Sequence, residues 1–132
     1  MKKIKTIVAA VMAAATVSAM GITASAYSYP PFKFSLGYNS GDFAAAVKED
    51  TLQTAGVHTT GGTVSAQKPM SVTVYSTDIA NNTYRMTDTK SLTSNSDNCT
   101  LTYEKTANKD TTYYLRGESG RYSLTASGTW NP

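Results

Sequence analysis

The chain has 132 residues, 16% of them charged, with 12 Lys and Arg against 9 Asp and Glu and a formal net charge of +3. That length supports one domain with one core. One Cys and one His exclude an internal disulfide framework and a zinc site of several His and Cys ligands.

In chain order, the first segment reads as an export signal. Lys2, Lys3 and Lys5 precede the apolar run Ile7 to Ala15, and Ala24-Ser25-Ala26 supplies a small-x-small cleavage pattern. Thr16 and Ser18 interrupt the run, which is shorter than the roughly 20 apolar residues a spanning helix needs. The expected organisation is a signal peptide over 1–26 and a single secreted β domain over 27–132. Cleavage after Ala19 is the weaker alternative. Tyr27 follows the expected cut where a lipoprotein would carry Cys, and Trp130-Asn131-Pro132 lacks a wall-sorting pattern. The expected product is therefore extracellular, with no stable membrane anchoring after cleavage. Loss of the three leader lysines leaves nine basic against nine acidic residues. The pI near 9.0 belongs to the precursor. The remaining basic residues are scattered singly, so no nucleic-acid partner is expected.

Residues 27–132 hold 18 Thr, 12 Ser and all nine Tyr. Thr and Tyr favour the pleated, half-buried surface of a sheet, whereas Ser, Asn and Gly favour turns. Phe32, Phe34, Leu36 and Tyr38 alternate with polar residues, which predicts a strand with an aromatic inner face. Asn39 to Asp42 is a turn. Over 43–49 a short helical turn competes with a strand. Residues 51–59 suggest a weak strand ending at Gly61-Gly62.

After Pro69 the pattern sharpens: Met70, Val72 and Val74 face one way, and Ser71, Thr73 and Tyr75 the other. Residues 78–82 read as loop and 83–93 as one or two short strands. Asn95 to Asn98 is a turn before the alternating run Cys99, Leu101, Tyr103. Residues 107–110 turn again. Thr111 to Arg116 and Arg121 to Trp130, joined by Gly117-Glu118-Ser119-Gly120, read as a hairpin. The predicted fold is all-β: a small antiparallel β-sandwich of six to eight strands, with a closed barrel as the alternative.

A search for chemistry finds little. A Cys99–His58 pair would need the fold to bring the two together, since no motif surrounds either residue. Glu49-Asp50 reads as a solvated turn. Asn39 with Asp42, and Asn95, Asp97 and Asn98, form oxygen-rich loops of a kind that also hold calcium, but turns use the same residues. Neither a metal nor a cofactor is expected, and the chain is not expected to be an enzyme. Asn81-Asn82-Thr83 and Asn98-Cys99-Thr100 match the glycosylation pattern but follow a bacterial-type signal. Cys99 reads as a small buried hydrophobe in a monomer, with a Cys99-linked dimer as the sharper alternative.

Tyrosine is the residue best able to support binding, since it combines a flat apolar ring with a hydroxyl. Adjacent Tyr113 and Tyr114 must point to opposite faces, so one is exposed if the other is core. Tyr75 opposes Val72 and Val74. Trp130 could cap the core or stack on a ligand. The candidate ligand-binding residues are therefore Tyr75, Tyr114 and Trp130.

The opening Tyr29-Pro30-Pro31-Phe32-Lys33-Phe34 and the ending Tyr114-Leu115-Arg116-Gly117 followed by Tyr122-Ser123-Leu124-Thr125-Ala126-Ser127-Gly128-Thr129-Trp130 resemble a family of short secreted proteins of Gram-positive bacteria. Those proteins finish on a Tyr-x-Leu/Val-x-x-Ser-Gly-x-Trp strand. More loosely, the chain is similar to the lactococcin-like bacteriocins, small exported cysteine-poor β-sandwiches. That likeness implies action on cell-wall precursor, but the His-rich segment of that family is missing here, and no functional residue carries over. The expected function is a small exported non-catalytic binding protein, bacteriocin-like or directed at a cell-envelope component. A carbohydrate-binding or adhesive module is the alternative.

Overall fold

The computed structural model describes residues 29–76 and 84–132. The expected signal peptide over 1–26 and the glycosylation pattern at Asn81 lie outside the described residues. The described chain forms eight strands: β1 (Pro31–Leu36), β2 (Gly41–Val47), β3 (Thr54–Gly62), β4 (Met70–Tyr75), β5 (Lys90–Leu92), β6 (Asn98–Thr102), β7 (Thr112–Glu118) and β8 (Leu124–Asn131). They make two four-stranded sheets, ordered β1-β8-β3-β6 and β2-β7-β4-β5, with every pairing antiparallel. This strand order is that of a jelly roll, a double-sheet sandwich that folds two Greek keys together. The predicted all-β sandwich is present at the upper end of its expected strand count.

The alternation of side chains explains the core. Phe32, Phe34 and Leu36 of β1 are buried while Lys33 and Ser35 face water. Met70, Val72 and Val74 point inward from β4, Tyr113 and Leu115 from β7, and Leu124 and Ala126 from β8. Phe32 and Phe34 stack with ring centroids 5.0 Å apart. Gly117 makes room for this layer, because a Cβ there would stand 2.6 Å from the Phe34 ring. Tyr38, expected on the inner face of the first strand, instead sits in the following turn and is 63% exposed. The adjacent Asn39 takes a positive φ of 47°, a conformation Asn tolerates at turns, and this ends the strand's alternation.

The structure decides one open reading and corrects two further expectations. Of the helical turn and the strand that compete over 43–49, the strand is present as far as Val47: β2 pairs with β7 from Gly41↔Glu118 to Val47↔Thr112. The expected hairpin of the last two strands does not form. β7 pairs with β2 and β4, whereas β8 pairs with β1 and β3, so residues 119–123 cross between the sheets. A jelly roll sends most consecutive strands to opposite sheets, and local alternation carries no record of that choice.

The second correction concerns Glu49-Asp50, expected as a solvated turn. Asp50 is 6% exposed and Lys48 0%. Lys48 Nζ lies 2.6 Å from Asp50 Oδ1 and donates to the Pro132 carbonyl oxygen at 2.9 Å. It also stands 5.2 Å from the centroid of the Tyr103 ring. A charge removed from water needs this degree of pairing.

Candidate functional site

The outer face of the β2-β7-β4-β5 sheet is built by register. Phe43 stands opposite Arg116 and Ala45 opposite Tyr114 across the β2–β7 pair. Arg116 stands opposite Thr73 and Tyr114 opposite Tyr75 across the β7–β4 pair. Because Val74, Tyr113 and Leu115 point inward, their neighbours Tyr75, Tyr114 and Arg116 must point outward. Two of the three predicted ligand residues, Tyr75 and Tyr114, thus become direct cross-strand partners on a wet face.

Three rings and a guanidinium meet there. Phe43 contacts Tyr75 edge-on, with centroids 6.0 Å apart and planes at 79°. It contacts Tyr114 the same way, at 6.5 Å and 86°. These are the favoured geometries for aromatic quadrupoles. The Arg116 guanidinium carbon is 5.2 Å from the Phe43 centroid and 5.9 Å from that of Tyr75, within cation–π range of both. Its Nε lies 2.6 Å from Glu118 Oε1, an ion contact in which the N–H points off the acceptor. Gly41 admits the guanidinium, since a Cβ there would stand 3.0 Å from Arg116 Nε. Beside Arg116, its register partner Thr73 has its Oγ1 2.8 Å from Thr89 Oγ1. Phe43, Tyr75, Tyr114 and Arg116 are all half-buried, so each is held in place yet open on one side.

Phe43 and Arg116 were not among the predicted site residues. Phe43 was hidden by the undecided helix-or-strand reading of 43–49. Once that segment is a strand, Phe43 and Ala45 fall on the outer face and Ala46 inside.

Trp130 does not join them. It is 1% exposed and belongs to the β1-β8-β3-β6 sheet, where its inward position packs it into the core. Its register partner Val57 is also buried, so its ring is not available to stack on a ligand.

The Cys99–His58 pair does not assemble either. Cys99 stands opposite Val57 and His58 opposite Asn98, so the two side chains leave opposite faces of the sheet. Cys99 packs half-buried against the core. Burial pushes its thiol up to about 11, with Asp97 and Asp88 raising it and Lys90 opposing. The Asn/Asp loops serve as turns. Asp42 Oδ1 accepts from the Phe43 N–H at 2.8 Å. Asp97 accepts from Thr93 N–H at 3.1 Å and Asn98 N–H at 3.0 Å. Among the described residues no group of three or more His, Cys, Asp and Glu could hold a metal ion.

No protein-family model matches the chain. No curated protein matches it. Among solved structures, it is similar to the Yersinia pseudotuberculosis-derived mitogen, with a TM-score of 0.52 over 79% of this chain and 85% of that one. The two share 7% identity, so the likeness is one of fold. Fold alone does not carry function, which has to be argued from sites.

Proposed function

We propose that this chain is an exported, non-catalytic binding protein that attaches to a carbohydrate component of a cell envelope through Phe43, Tyr75, Tyr114 and Arg116. The observation that carries this reading is the cross-strand Tyr75–Tyr114 pair, joined edge-on by Phe43 and flanked by the Arg116 guanidinium on an open sheet face. Aromatic faces accept the C–H surface of a sugar ring, while tyrosine hydroxyls and a guanidinium donate to its oxygens. A fixed array of this kind loses little side-chain entropy on binding. The cluster holds one basic and one acidic group already in contact, so it suits a neutral or weakly acidic glycan better than a polyanion.

Between the two functions expected from the sequence, attachment to carbohydrate is the one proposed, because Tyr75 and Tyr114 share one open sheet face beside the Arg116 guanidinium. Affinity gel electrophoresis in gels cast with soluble envelope polysaccharide tests it. The native chain should be retarded, and Phe43→Ala and Tyr114→Ala should migrate as in a plain gel. Equal mobility of native and variant chains in every polysaccharide would remove the proposal. Killing of a related strain without polysaccharide binding would favour the bacteriocin-like reading.

A further inference from the structure

The opposite sheet carries a glycine that the fold does not require. Gly56 lies within β3 between two partners, Thr100 of β6 and Asn131 of β8. Glycine inside a strand weakens it and often marks close approach by a ligand or another backbone. Two other strand glycines have structural reasons: Gly62 has a φ of +117°, and a Cβ on Gly128 would collide with the His58 carbonyl oxygen. Gly56 has neither reason. Its φ is not positive, and a Cβ built on it would meet nothing within 4 Å.

The register shows what surrounds the gap. On the outward face, Thr100 and Asn131 flank Gly56, and one step along β3 His58 is flanked by Asn98 and Thr129. The Trp130 N–H donates to the Pro30 carbonyl oxygen at 3.1 Å, which brings Tyr29, 46% exposed, alongside this corner. The result is a hollow of about 350 Å³ with a glycine floor, a tyrosine at its border and a rim of hydroxyl and amide groups. That volume lies at the small end for ligand sites.

The rim is chemically idle. The side chains of Asn98, Thr100, Thr129 and Asn131 make no hydrogen bond within the described residues. His58 Nδ1 is shut off from water without a partner. The carboxylate bordering the hollow, Asp50, is already neutralised by Lys48. A cavity rimmed by Asn and Thr side chains with no protein partner, beside Leu52 and one tyrosine ring, offers donors, acceptors and an apolar contact, the set that a small neutral polyol uses.

We infer that the hollow over Gly56 is a second, separate binding site that takes a single neutral sugar unit. It shares no residue with the Phe43–Tyr75–Tyr114–Arg116 face and lies on the other sheet, so it stands or falls independently of that proposal. If both sites operate, one molecule offers two points of attachment on opposite sides, the geometry needed to bridge two glycan strands.

The test is an NMR titration of the ¹⁵N-labelled chain with free glucose, galactose, mannose and N-acetylglucosamine. For at least one sugar the amides of Gly56, His58, Thr100 and Asn131 should shift saturably, in the millimolar range. Gly56→Leu, which fills the hollow, should weaken that binding by about tenfold or more. Tyr114→Ala should leave it unchanged, which separates failure here from failure of the aromatic face. Gly56→Ala should fold at least as stably as the native chain. Should Gly56→Leu fail to fold, the pair Thr100→Val and Asn131→Ala removes rim groups without touching the floor and should weaken binding to the same degree. Absence of saturable shifts at these amides for all four sugars, undiminished binding in the filled or rim variants, or a destabilised Gly56→Ala would each overturn the assignment.

Discussion

Lys48 and Asp50, two positions apart just beyond β2, form an ion pair of 2.6 Å whose side chains are 0% and 5% exposed. Asp50 Oδ1 also accepts from the Leu52 N–H at 3.0 Å, and Lys48 reaches the Pro132 carbonyl oxygen. Desolvation offsets most of the attraction in such a pair, so its presence adds little net stability, while loss of one partner leaves a stranded charge. Asp50→Ala should therefore cost about 3–5 kcal/mol. The double change Lys48→Met with Asp50→Ala should be more stable than Asp50→Ala alone. Urea denaturation of the native chain, both single variants and the double variant measures the coupling.

Gly128 and Gly117 face the same substitution with different neighbours. A Cβ on Gly128 meets the His58 carbonyl, which is backbone fixed in the β3–β8 ladder. On Gly117 it meets the Phe34 ring at 2.6 Å and Met70 Sδ at 3.0 Å, both on side chains that can move. Gly128→Ala should therefore reach or exceed about 3 kcal/mol of destabilisation, the upper range for overpacking, and Gly117→Ala should fall below it. Thermal unfolding of the two variants checks the order.

Thr59 is fully buried and serves three backbone groups. Its Oγ1 accepts from the Asp97 N–H at 2.8 Å and lies 3.0 Å from the Ser94 carbonyl oxygen and 3.3 Å from that of Asp97. Thr59→Val keeps the shape and strands the Asp97 N–H. The expected cost is about 1–3 kcal/mol, the usual penalty for an unmatched buried polar group. Faster hydrogen exchange confined to residues 93–98 would show the local origin.

Cys99 gives a pH dependence. The folded chain holds the thiol proton up to about pH 11, whereas the ordinary value is 9.0. The folded-state value is raised, so this contribution to stability is complete below pH 9.0 and is lost as pH climbs toward about 11. Cys99→Ala should flatten that part of the stability curve. Thiol labelling of the native chain at pH 8 should be slow and should accelerate on unfolding, because the thiolate is the reactive species.

The inner faces of β1, β4 and β8 were legible because each runs apolar at every second position, and period two admits one face only. Trp130 was equally legible: it continues the series Leu124, Ala126, Gly128, and that series points inward. Tyr75 and Tyr114 were found from the converse rule, that the neighbour of a core residue on a strand faces out. Their meeting was not legible, since β4 and β7 are about forty residues apart and pairing at that distance depends on topology. The same limit produced the hairpin that does not form and hid the Lys48–Asp50–Pro132 cluster, whose members converge only through the sandwich. Phe43 was obscured by Ala44-Ala45-Ala46, a run compatible with either period.

The most direct test of the central claim is co-sedimentation of the purified chain with envelope sacculi, comparing the native protein with Tyr75→Ala, Tyr114→Ala and Arg116→Ala. The native chain should pellet saturably, and each substitution should weaken retention by about tenfold with the unfolding midpoint nearly unchanged, as for a half-exposed contact residue. Retention of all three variants at the native level would contradict the account.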